Sequence, residues 1–435
     1  MMIARRKAFQ IRVIAVLALR NLRRQVRRTL LTATAIILGA GMLVFSNAIG
    51  DGTHEQWIDD GVRTGSGHAT IEHPAFRMSR KLEDRLAADV RAVAEAALAT
   101  PDLADRVTGV SAQLTISGMA SSAAGARPAH ILAVDPQAEV DFTNLDDQVI
   151  EGRYLQSDDR LAAFVGVGLV ETLDLRLGSR LVLTAQDTNK EIVGQLVRVV
   201  GVFRNGAPPV DNTVVHIPLA IAGEWLGSGD DVSKIAVMVE DSTEVSSLVR
   251  RLRQALADPV DAGRVTVLGW REAMPALASL VAVDQFGSYV IFAILFVIIG
   301  FGIVNTVLMS VLHRHREFGV LQALGLTPRQ TGAVVLLEGL LLTTVSTLVG
   351  VGLGTWLTWY FLGDGFDMAV IAGDSLANNM EMGSVVIDPI IIPMFSVART
   401  LQTIGWIMLI GILASIYPAL RATRIDIAES MKFDQ

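Results

Sequence analysis

The segment His313–Gln330 (HRHREFGVLQALGLTPRQ) is a charged insert between two long apolar runs, Val290–Leu312 and residues 333–362. Each run is long enough to cross a bilayer about 30 Å thick at about 1.5 Å per helical residue. A charged insert between two such runs is typical of a loop that leaves the membrane and turns back. The sequence therefore predicts two membrane-spanning helices that are connected by this insert.

Within the insert, helix-end and helix-start signals follow each other closely. Gly325 suits the position just after a helix, whereas Thr327 suits an N-cap and Pro328 the first turn of a new helix. Gln330 completes a Thr-x-x-Gln capping box. These signals predict two short helices that meet at a Gly-Leu elbow. The first is expected to be amphipathic, with three apolar residues on one side: Phe318, Leu321 and Leu324.

Two more apolar runs complete a set of four, Leu30–Ala48 near the start and 401–417 near the end. The predicted fold class is an α-helical membrane protein with four transmembrane helices and a large α+β extracytoplasmic domain. The predicted segments are a cytoplasmic basic stretch 1–29, a span 30–49, the outside domain 50–284, a span 285–312, cytoplasmic helices 313–332, a span 333–362, an outside loop 363–400, a span 401–420 and a cytoplasmic tail 421–435.

Basic residues indicate which side is cytoplasmic. Nine Lys or Arg residues precede the first span, Arg314, Arg316 and Arg329 follow the second, and Arg421 and Arg424 follow the fourth. The stretch 363–398 has no Lys or Arg but five acidic residues. The positive-inside rule therefore predicts cytoplasmic termini. A cleaved signal peptide ending near Ala48 is the alternative, but it would leave three spans and contradict this charge bias.

The outside domain alternates β-rich runs with helical stretches. Nine runs are expected to be strands: HATIEH, RVTGVSAQLTISG, RPAHILAV, RLAAFVGVG, SRLVLTAQ, QLVRVVGVFR, NTVVHIPL, KIAVMVE and RVTVLGW. The stretches 81–99 and 243–257 have helical spacing. Residues 51–62 and 273–285 are predicted to extend the first and second spans outward as helical stalks.

Composition and motifs exclude several functions. A 51% hydrophobic chain with 19% charged residues and a net charge of −7 is a poor nucleic-acid binder, and the absence of cysteine removes thiolate chemistry. None of its five lysines follows a glycine, so a P-loop is absent and the chain lacks a Walker-type ATPase site. His68, Glu72 and His73 lack metal-ligand spacing, and we expect exposed loop histidines and no metal site.

Polar and small residues inside the spans have structural interpretations. Glu338 is expected near the cytoplasmic end of its span, too close to the interface for proton relay. Gly350 and Gly354 form a small-residue face that allows close helix contact. That face is either a dimer seam or only an instance of the glycine common in such helices.

Several phrases carry a family resemblance. Six stretches resemble the FtsX-like, MacB-type ABC transporter permease family. They are REFGVLQALGLTPRQ before a span with Glu338, YPALRATRIDIAESMKF, ALRNLRRQVRRTLLT, EGRYL, GVGLVETLDLRLGSRLVL and VVGVFRNG. GHATIEHPAF is similar to its LolC/LolE lipoprotein-releasing branch. This sequence starts directly with the membrane module, whereas a MacB polypeptide usually has a fused ATPase there, so a LolC/LolE-like or stand-alone permease is expected.

The resemblance implies a mechanism and partners. Members act by mechanotransmission: a cytoplasmic ABC ATPase, which holds ATP-Mg, drives stalk helices and an outside domain, and this chain itself binds no cofactor. Expected partners are that ATPase, a second permease copy or paralogue, a lipoprotein or other amphiphilic substrate, and a periplasmic carrier or adaptor. The ATPase-coupling residues implied are Arg316, Glu317, Phe318, Gly319, Leu324, Gly325, Thr327, Pro328 and Gln330.

Substrate and location follow from the same resemblance. The leading hypothesis is lipoprotein extraction from the bacterial inner membrane, with an apolar groove between the first two spans lined by Phe45, Phe292, Phe296 and Val297. Core or lipid-facing packing is the alternative for each of these residues. Tripartite efflux and FtsX-like control of envelope hydrolases are the other functions, whereas no constellation supports an enzyme.

Overall fold

A computed structural model describes residues 26–79, 81–143, 148–206, 208–240, 242–363, 365–367, 381–382, 385–386 and 390–424. Most of the predicted basic segment 1–29, much of the loop 363–400 and the tail beyond residue 424 lie outside these residues. The chain divides into two compact units, one holding the apolar helices and the other, mainly Glu55–Ala282, holding the large sheet.

Four helices in the described residues are long and apolar enough to cross a membrane: α1 (Val26–Gly61), α12 (Pro275–His313), α14 (Pro328–Leu362) and α15 (Val397–Thr423). Helix α1 continues past the apolar run to Gly61, and α12 begins 15 residues before Val290, at Pro275. The predicted helical extensions of both spans are therefore confirmed as helix.

Small residues let three of these helices approach closely. A methyl group placed on Gly354 of α14 would lie 2.7 Å from Cα of Gly41 on α1, and one on Gly350 would lie 2.9 Å from Cβ of Ala40. A methyl group on Gly411 of α15 would lie 2.6 Å from Thr343 of α14. The face of Gly350 and Gly354 is thus occupied by α1 of the same chain. The dimer-seam interpretation of these glycines is wrong, because no room is left there for a second copy.

The second unit contains ten strands among the described residues. They are β1 (Ala69–Glu72), β2 (Val107–Ser122), β3 (Gly125–Val134), β4 (Val149–Gly152), β5 (Ala162–Gly166), β6 (Arg180–Gln186), β7 (Ile192–Phe203), β8 (Val214–Pro218), β9 (Lys234–Val239) and β10 (Thr266–Gly269). All nine predicted strands are present. Strand β4 was not predicted, because its exposed V-I-E-G sequence is short and does not alternate.

Short helices connect these strands: α2 (Phe76–Ser79), α3 (Ala88–Leu98), α4 (Pro101–Ala104), α5 (Pro136–Phe142), α6 (Val167–Thr172), α7 (Pro208–Asp211), α8 (Leu219–Leu226), α9 (Val245–Ala255), α10 (Ala257–Asp261) and α11 (Trp270–Ala273). Helix α3 begins seven residues later than the predicted start at Lys81. Residues 81–87, which were predicted to be helical, precede α3, and within them Leu86 pairs with Val232 as an isolated β-bridge. Helix α13 (His315–Ala323) belongs to the first unit.

The strand pairings close a ring. Strand β2 pairs with β3, β3 with β8, β8 with β5, β5 with β7, β7 with β6, and β6 returns to β2. Buried residues such as Leu114, Leu183 and Val197 pack together in one core of this ring. Strands β9, β1 and β10 extend β2 on the other side and cover a second core that includes Ile71, Val237 and Leu252. Two cores therefore share one sheet.

Candidate coupling site at the charged insert

The charged insert forms one short helix and the beginning of a long one. Helix α13 ends at Ala323, and Gly325 then adopts a φ of 104°, in the left-handed region that favours glycine. The Leu326 N–H donates to the Leu321 carbonyl at 3.0 Å, which closes the helix end. The prediction of a second short helix is wrong. Helix α14 starts at Pro328 and runs to Leu362, because no helix breaker separates its first turn from the apolar span.

The predicted capping box at the start of α14 is confirmed. The Gln330 N–H donates to Thr327 Oγ1 at 3.4 Å, and the Thr327 N–H donates to Gln330 Oε1 at 2.9 Å. Two backbone donors at the helix start are satisfied in this way. The elbow between α13 and α14 is therefore defined by local hydrogen bonds on both sides of Gly325 and Leu326.

Arg314 anchors α13 to its neighbours. It lies at the junction of α12 and α13, and only 8% of its surface is exposed. Its Nε donates to Glu317 Oε2 at 2.9 Å, and its Nη1 donates to Glu338 Oε2 on α14 at 3.5 Å. Ser310 Oγ donates to the other oxygen of Glu338 at 3.3 Å. One guanidinium thus connects α12, α13 and α14, and Glu338 has a structural partner.

The buried side of α13 is formed by Phe318, Gly319 and Gln322. The Arg314 guanidinium carbon lies 5.2 Å from the centre of the Phe318 ring, a cation–π distance. Gln322 Nε2 donates to Thr331 Oγ1 of α14 at 3.4 Å. Sequence reasoning missed Arg314 and Gln322, because their partners Glu338 and Thr331 are 24 and 9 residues away.

The exposed side of α13 differs from the prediction. Leu324 does not lie with Phe318 on the buried side, because 77% of its surface is exposed. Six residues at about 100° each place Leu324 about 120° around the helix from Phe318, away from the buried side. Val320 is also exposed, as are Arg316, Gly325, Thr327 and Pro328, whereas Glu317 and Gln330 are half-buried. The insert therefore exposes two large apolar side chains, Val320 and Leu324, and two arginines, Arg316 and Arg329.

The four residues predicted to line a groove do not share one face. Phe292 and Phe296 are half-buried against the core of the helical unit, and Phe45 is half-buried on α1. Val297 is 56% exposed and lies with Ile294, Ile298 and Phe301 on the open face of α12. Val297 follows Phe296 by one residue, about 100° around the helix, so it does not share a face with the two phenylalanines, and the groove itself stays a prediction.

Polar contacts that the sequence did not reveal lie near the opposite ends of these helices. Asp51 pairs with Arg399 of α15 at 2.6 Å, and His54 Nε2 lies 2.8 Å from Asp284 Oδ2 of α12. Asn47 Nδ2 donates to Thr403 Oγ1 at 3.0 Å. These contacts tie α1 to α12 and α15 at the point where the apolar run ends.

The histidines of HATIEHP differ in their exposure. His68 is buried, which corrects the expectation of two exposed loop histidines, and burial lowers the pKa of its imidazole. Glu72 is also buried, and desolvation raises the pKa of its carboxyl group although Arg77 pairs with it at 2.6 Å. Within the part of the chain that the structure describes, no group of three His, Cys, Asp or Glu residues could hold a metal ion.

Family models match most of the chain. The MacB-like periplasmic core domain matches residues 29–255, more than half of the chain, and the FtsX-like permease C-terminal model matches residues 289–427. The chain belongs to the FtsX-like, MacB-type ABC transporter permease family. In this permease the second match begins within α12 and includes the whole insert, so the Arg314 network lies in the FtsX-like part.

Named relatives of this permease are distant. It is 24% identical over 430 residues to the uncharacterized ABC transporter permease YknZ of Bacillus subtilis, covering 94% of this chain and 95% of the relative. It is 21% identical to the lipoprotein-releasing system transmembrane protein LolC of Neisseria meningitidis, over 62% of this chain and 64% of that one. It is 28% identical to the macrolide export ATP-binding/permease protein MacB of Brucella melitensis, over 78% of this chain and 51% of that one.

Among solved structures, the extracellular domain of the YknZ transporter matches with a TM-score of 0.34 and 17% identity, over 46% of this chain and 98% of that domain. The two family models, together with the four apolar helices, make this permease a multi-pass membrane protein of the ABC transporter type that also contains a MacB-like α+β domain.

Proposed function

We propose that this chain is the permease subunit of a mechanotransmitting ABC transporter whose ATP hydrolysis takes place in a separate cytoplasmic subunit. The observation that carries the proposal is α13: one side is anchored by Arg314 and Phe318, and the other presents Val320 and Leu324. An exposed apolar pair on a firmly held helix is suited to binding a protein partner and transmitting its motion. The absence of a Gly-Lys-Ser/Thr sequence supports a separate ATPase that holds the ATP-Mg.

The proposed orientation has both termini in the cytoplasm and the sheet unit outside the bacterial inner membrane. The basic residues before α1 and within the insert support it, since positive charge is retained on the cytoplasmic side. A second permease copy or paralogue completes the transporter. The open face of α12, with Ile294, Ile298 and Phe301, is the apolar surface available for that copy or for lipid.

For the transported molecule we propose a lipoprotein extracted from the inner membrane and passed toward a periplasmic carrier. The similarity to LolC supports this, as do the half-buried aromatic residues Phe45 of α1 and Phe292 and Phe296 of α12. The similarity to MacB supports the second candidate, export of an amphiphile through a tripartite system with an adaptor. FtsX-like control of envelope hydrolases is the third candidate and rests on the family alone.

The first experiment tests the ATPase interaction by co-purification of the tagged chain with candidate ABC ATPases. Leu324→Asp is expected to reduce recovery of the ATPase about tenfold, because it places a carboxylate in an apolar contact. Met78→Asp is the matched control: Met78 is 96% exposed and lies in the sheet unit. Equal recovery with both variants would contradict the role of α13.

A second experiment tests the substrate. The purified complex in liposomes is given ATP and a labelled triacylated lipoprotein, and transfer to a soluble acceptor is measured. ATP-dependent transfer that Leu324→Asp abolishes supports lipoprotein extraction. If the ATPase binds but no lipoprotein is transferred, the chain is still a permease subunit and efflux becomes the leading function.

A further inference from the structure

The outer wall of the six-strand ring carries an exposed apolar patch. We define this patch as Met119 on β2, Val182 on β6, and Ile192 and Leu196 on β7. They are 46%, 38%, 80% and 44% exposed, respectively. The strand register shows that they share one face: Met119 is paired with Thr184, two residues from Val182, and Val182 is directly opposite Leu196.

The other face of the same strands is fully packed. Leu181, Leu183 and Val197 alternate with the patch residues and are completely buried in the ring core. Outward positions of a strand that faces water are normally polar. Apolar side chains on three adjacent strands break that rule, and contiguous exposed apolar residues on a folded domain are typical of an interaction site.

Two arginines beside the patch indicate the charge of the partner. Arg180 on β6 and Arg198 on β7 are directly opposite each other, on the same face as Val182 and Leu196. Like charges in opposed positions are unfavourable. The Arg198 guanidinium donates to the Gly178 carbonyl at 3.3 Å, and among the described residues no carboxylate pairs with either guanidinium. A partner that brings carboxylates would relieve this repulsion.

A polar cleft continues the surface at the other end of the patch. The cleft has a volume of about 450 Å³, and its lining includes Ser117 and Gln186 of the outer wall. Gln186 is directly opposite Ile192 of the patch. Across the cleft, Glu83 bridges Lys81 at 3.4 Å and Lys190 at 3.3 Å. Glu83 thus lies between two lysines, and a carboxylate of a partner could replace it there.

We propose that the patch, together with Arg180 and Arg198, binds an extracytoplasmic protein whose contact surface combines apolar side chains with carboxylates. An apolar centre with arginine beside it is the composition of protein–protein interfaces, and guanidinium groups pair with carboxylates in a fixed geometry. The proposal rests on the proposed orientation, which places the sheet unit outside the membrane, but not on the ATPase or the transported molecule.

Photocrosslinking in the full chain, in native membranes, tests the proposal. A benzophenone amino acid replaces Val182 or Leu196, and Val93 on α3, which is 49% exposed on another surface, is the control position. We expect one discrete protein adduct from the two patch positions and none from Val93. Peptide mapping of the adduct is expected to identify a segment that contains apolar and acidic residues.

Charge reversal supplies the decisive comparison. Arg180→Glu is expected to lower the adduct yield about tenfold, because it replaces attraction by repulsion at the rim. Arg250→Glu, at an exposed arginine of α9, is expected to leave the yield unchanged. Proteolytic resistance of both variants checks that the domain remains folded.

Four results would overturn the proposal: adducts only with lipid, adducts only with a second copy of this chain, equal adducts from Val93, or a yield that is insensitive to Arg180→Glu. An adduct with the cytoplasmic ATPase would instead overturn the proposed orientation, so the two failures are distinguishable.

Discussion

At the residue scale, the position of α13 depends on Arg314. This guanidinium is almost fully buried and has carboxylates on two elements, Glu317 within 2.9 Å and Glu338 within 3.5 Å. A buried ion pair contributes little over an apolar substitute, but removal of one partner leaves a desolvated charge. Arg314 is therefore costly to remove, and we expect its removal to affect ATPase binding only through the placement of α13.

Replacement of Arg314 by methionine tests this role. Arg314→Met is expected to lower the stability of the helical unit by about 2 kcal/mol, because Glu338 loses its cationic partner. Thermal melting of the detergent-purified chain and ATPase co-purification are the measurements. Arg329→Met, at an exposed arginine of the same segment, should stay within about 0.5 kcal/mol of wild type. Equal losses from both variants would mean that the network does not hold α13.

We expect His216 to make the sheet unit sensitive to acid. It is buried among Tyr154, Phe164 and Phe203, and complete burial lowers its pKa to about 4. The folded state therefore binds fewer protons at this site than the unfolded chain, in which a histidine pKa is about 6.5. The resulting stability is fully present above about pH 6.5 and is lost as the pH falls toward 4.

The shift corresponds to about 3 kcal/mol between these two pH values. His216→Asn keeps an acceptor for the Tyr154 hydroxyl, which lies 3.4 Å from Nδ1, and removes the titration. We expect the melting temperature of the variant to depend less on pH between 4 and 6.5 than that of wild type. Parallel pH profiles for the two proteins would show that His216 is not the group responsible.

At the element scale, α14 combines a capped start with a glycine face. The Thr327 and Gln330 cap is local in the sequence, so it was predictable from spacing alone. The glycine face was also visible, but its partner was not: Gly354 contacts Gly41, more than 300 residues earlier in the chain. A repeat of small residues predicts that another helix packs closely against that face, but it does not predict which helix.

Two alanine substitutions on α14 separate packing from glycine flexibility. Gly354→Ala is expected to cost about 1–3 kcal/mol, because its methyl group would lie 2.7 Å from Cα of Gly41. Gly352→Ala meets no atom within 4 Å and should be neutral or slightly stabilising. Thermal unfolding of the purified chain compares them. A destabilised Gly352→Ala, or an unaffected Gly354→Ala, would contradict the contact with α1.

At the scale of the whole molecule, the orientation predicted from charge has a direct test. The chain has no cysteine, so single cysteines can be introduced without background. In spheroplasts, a membrane-impermeant maleimide is expected to label Ile192→Cys, which is 80% exposed in the sheet unit. Arg329→Cys in the insert should react only after the membrane is opened. Labelling of Arg329→Cys alone in intact spheroplasts would invert the proposed topology.

Much of this architecture could be predicted because its causes are local. The length of the uninterrupted apolar runs predicted the four spans, and the β-rich runs predicted nine of the ten strands. The helix-end signal at Gly325 and the helix-start signal at Thr327 predicted the elbow. The differences concern the direction of side chains around a helix. Leu324 lies about 120° around from Phe318 and Val297 about 100° around from Phe296, so each side chain points to a different face from its predicted neighbour.

The sequence by itself determined hydropathy, charge bias and turn chemistry, and through them the membrane class, the helices and most of the strands of this permease. The tertiary structure alone decided which elements meet: α1 against the glycine face of α14, Arg314 between two glutamates, and β6 against β2 to close the ring. The reason is physical. Helix and strand signals arise from neighbours a few residues apart, whereas these contacts join distant segments and depend on how all the surfaces pack together.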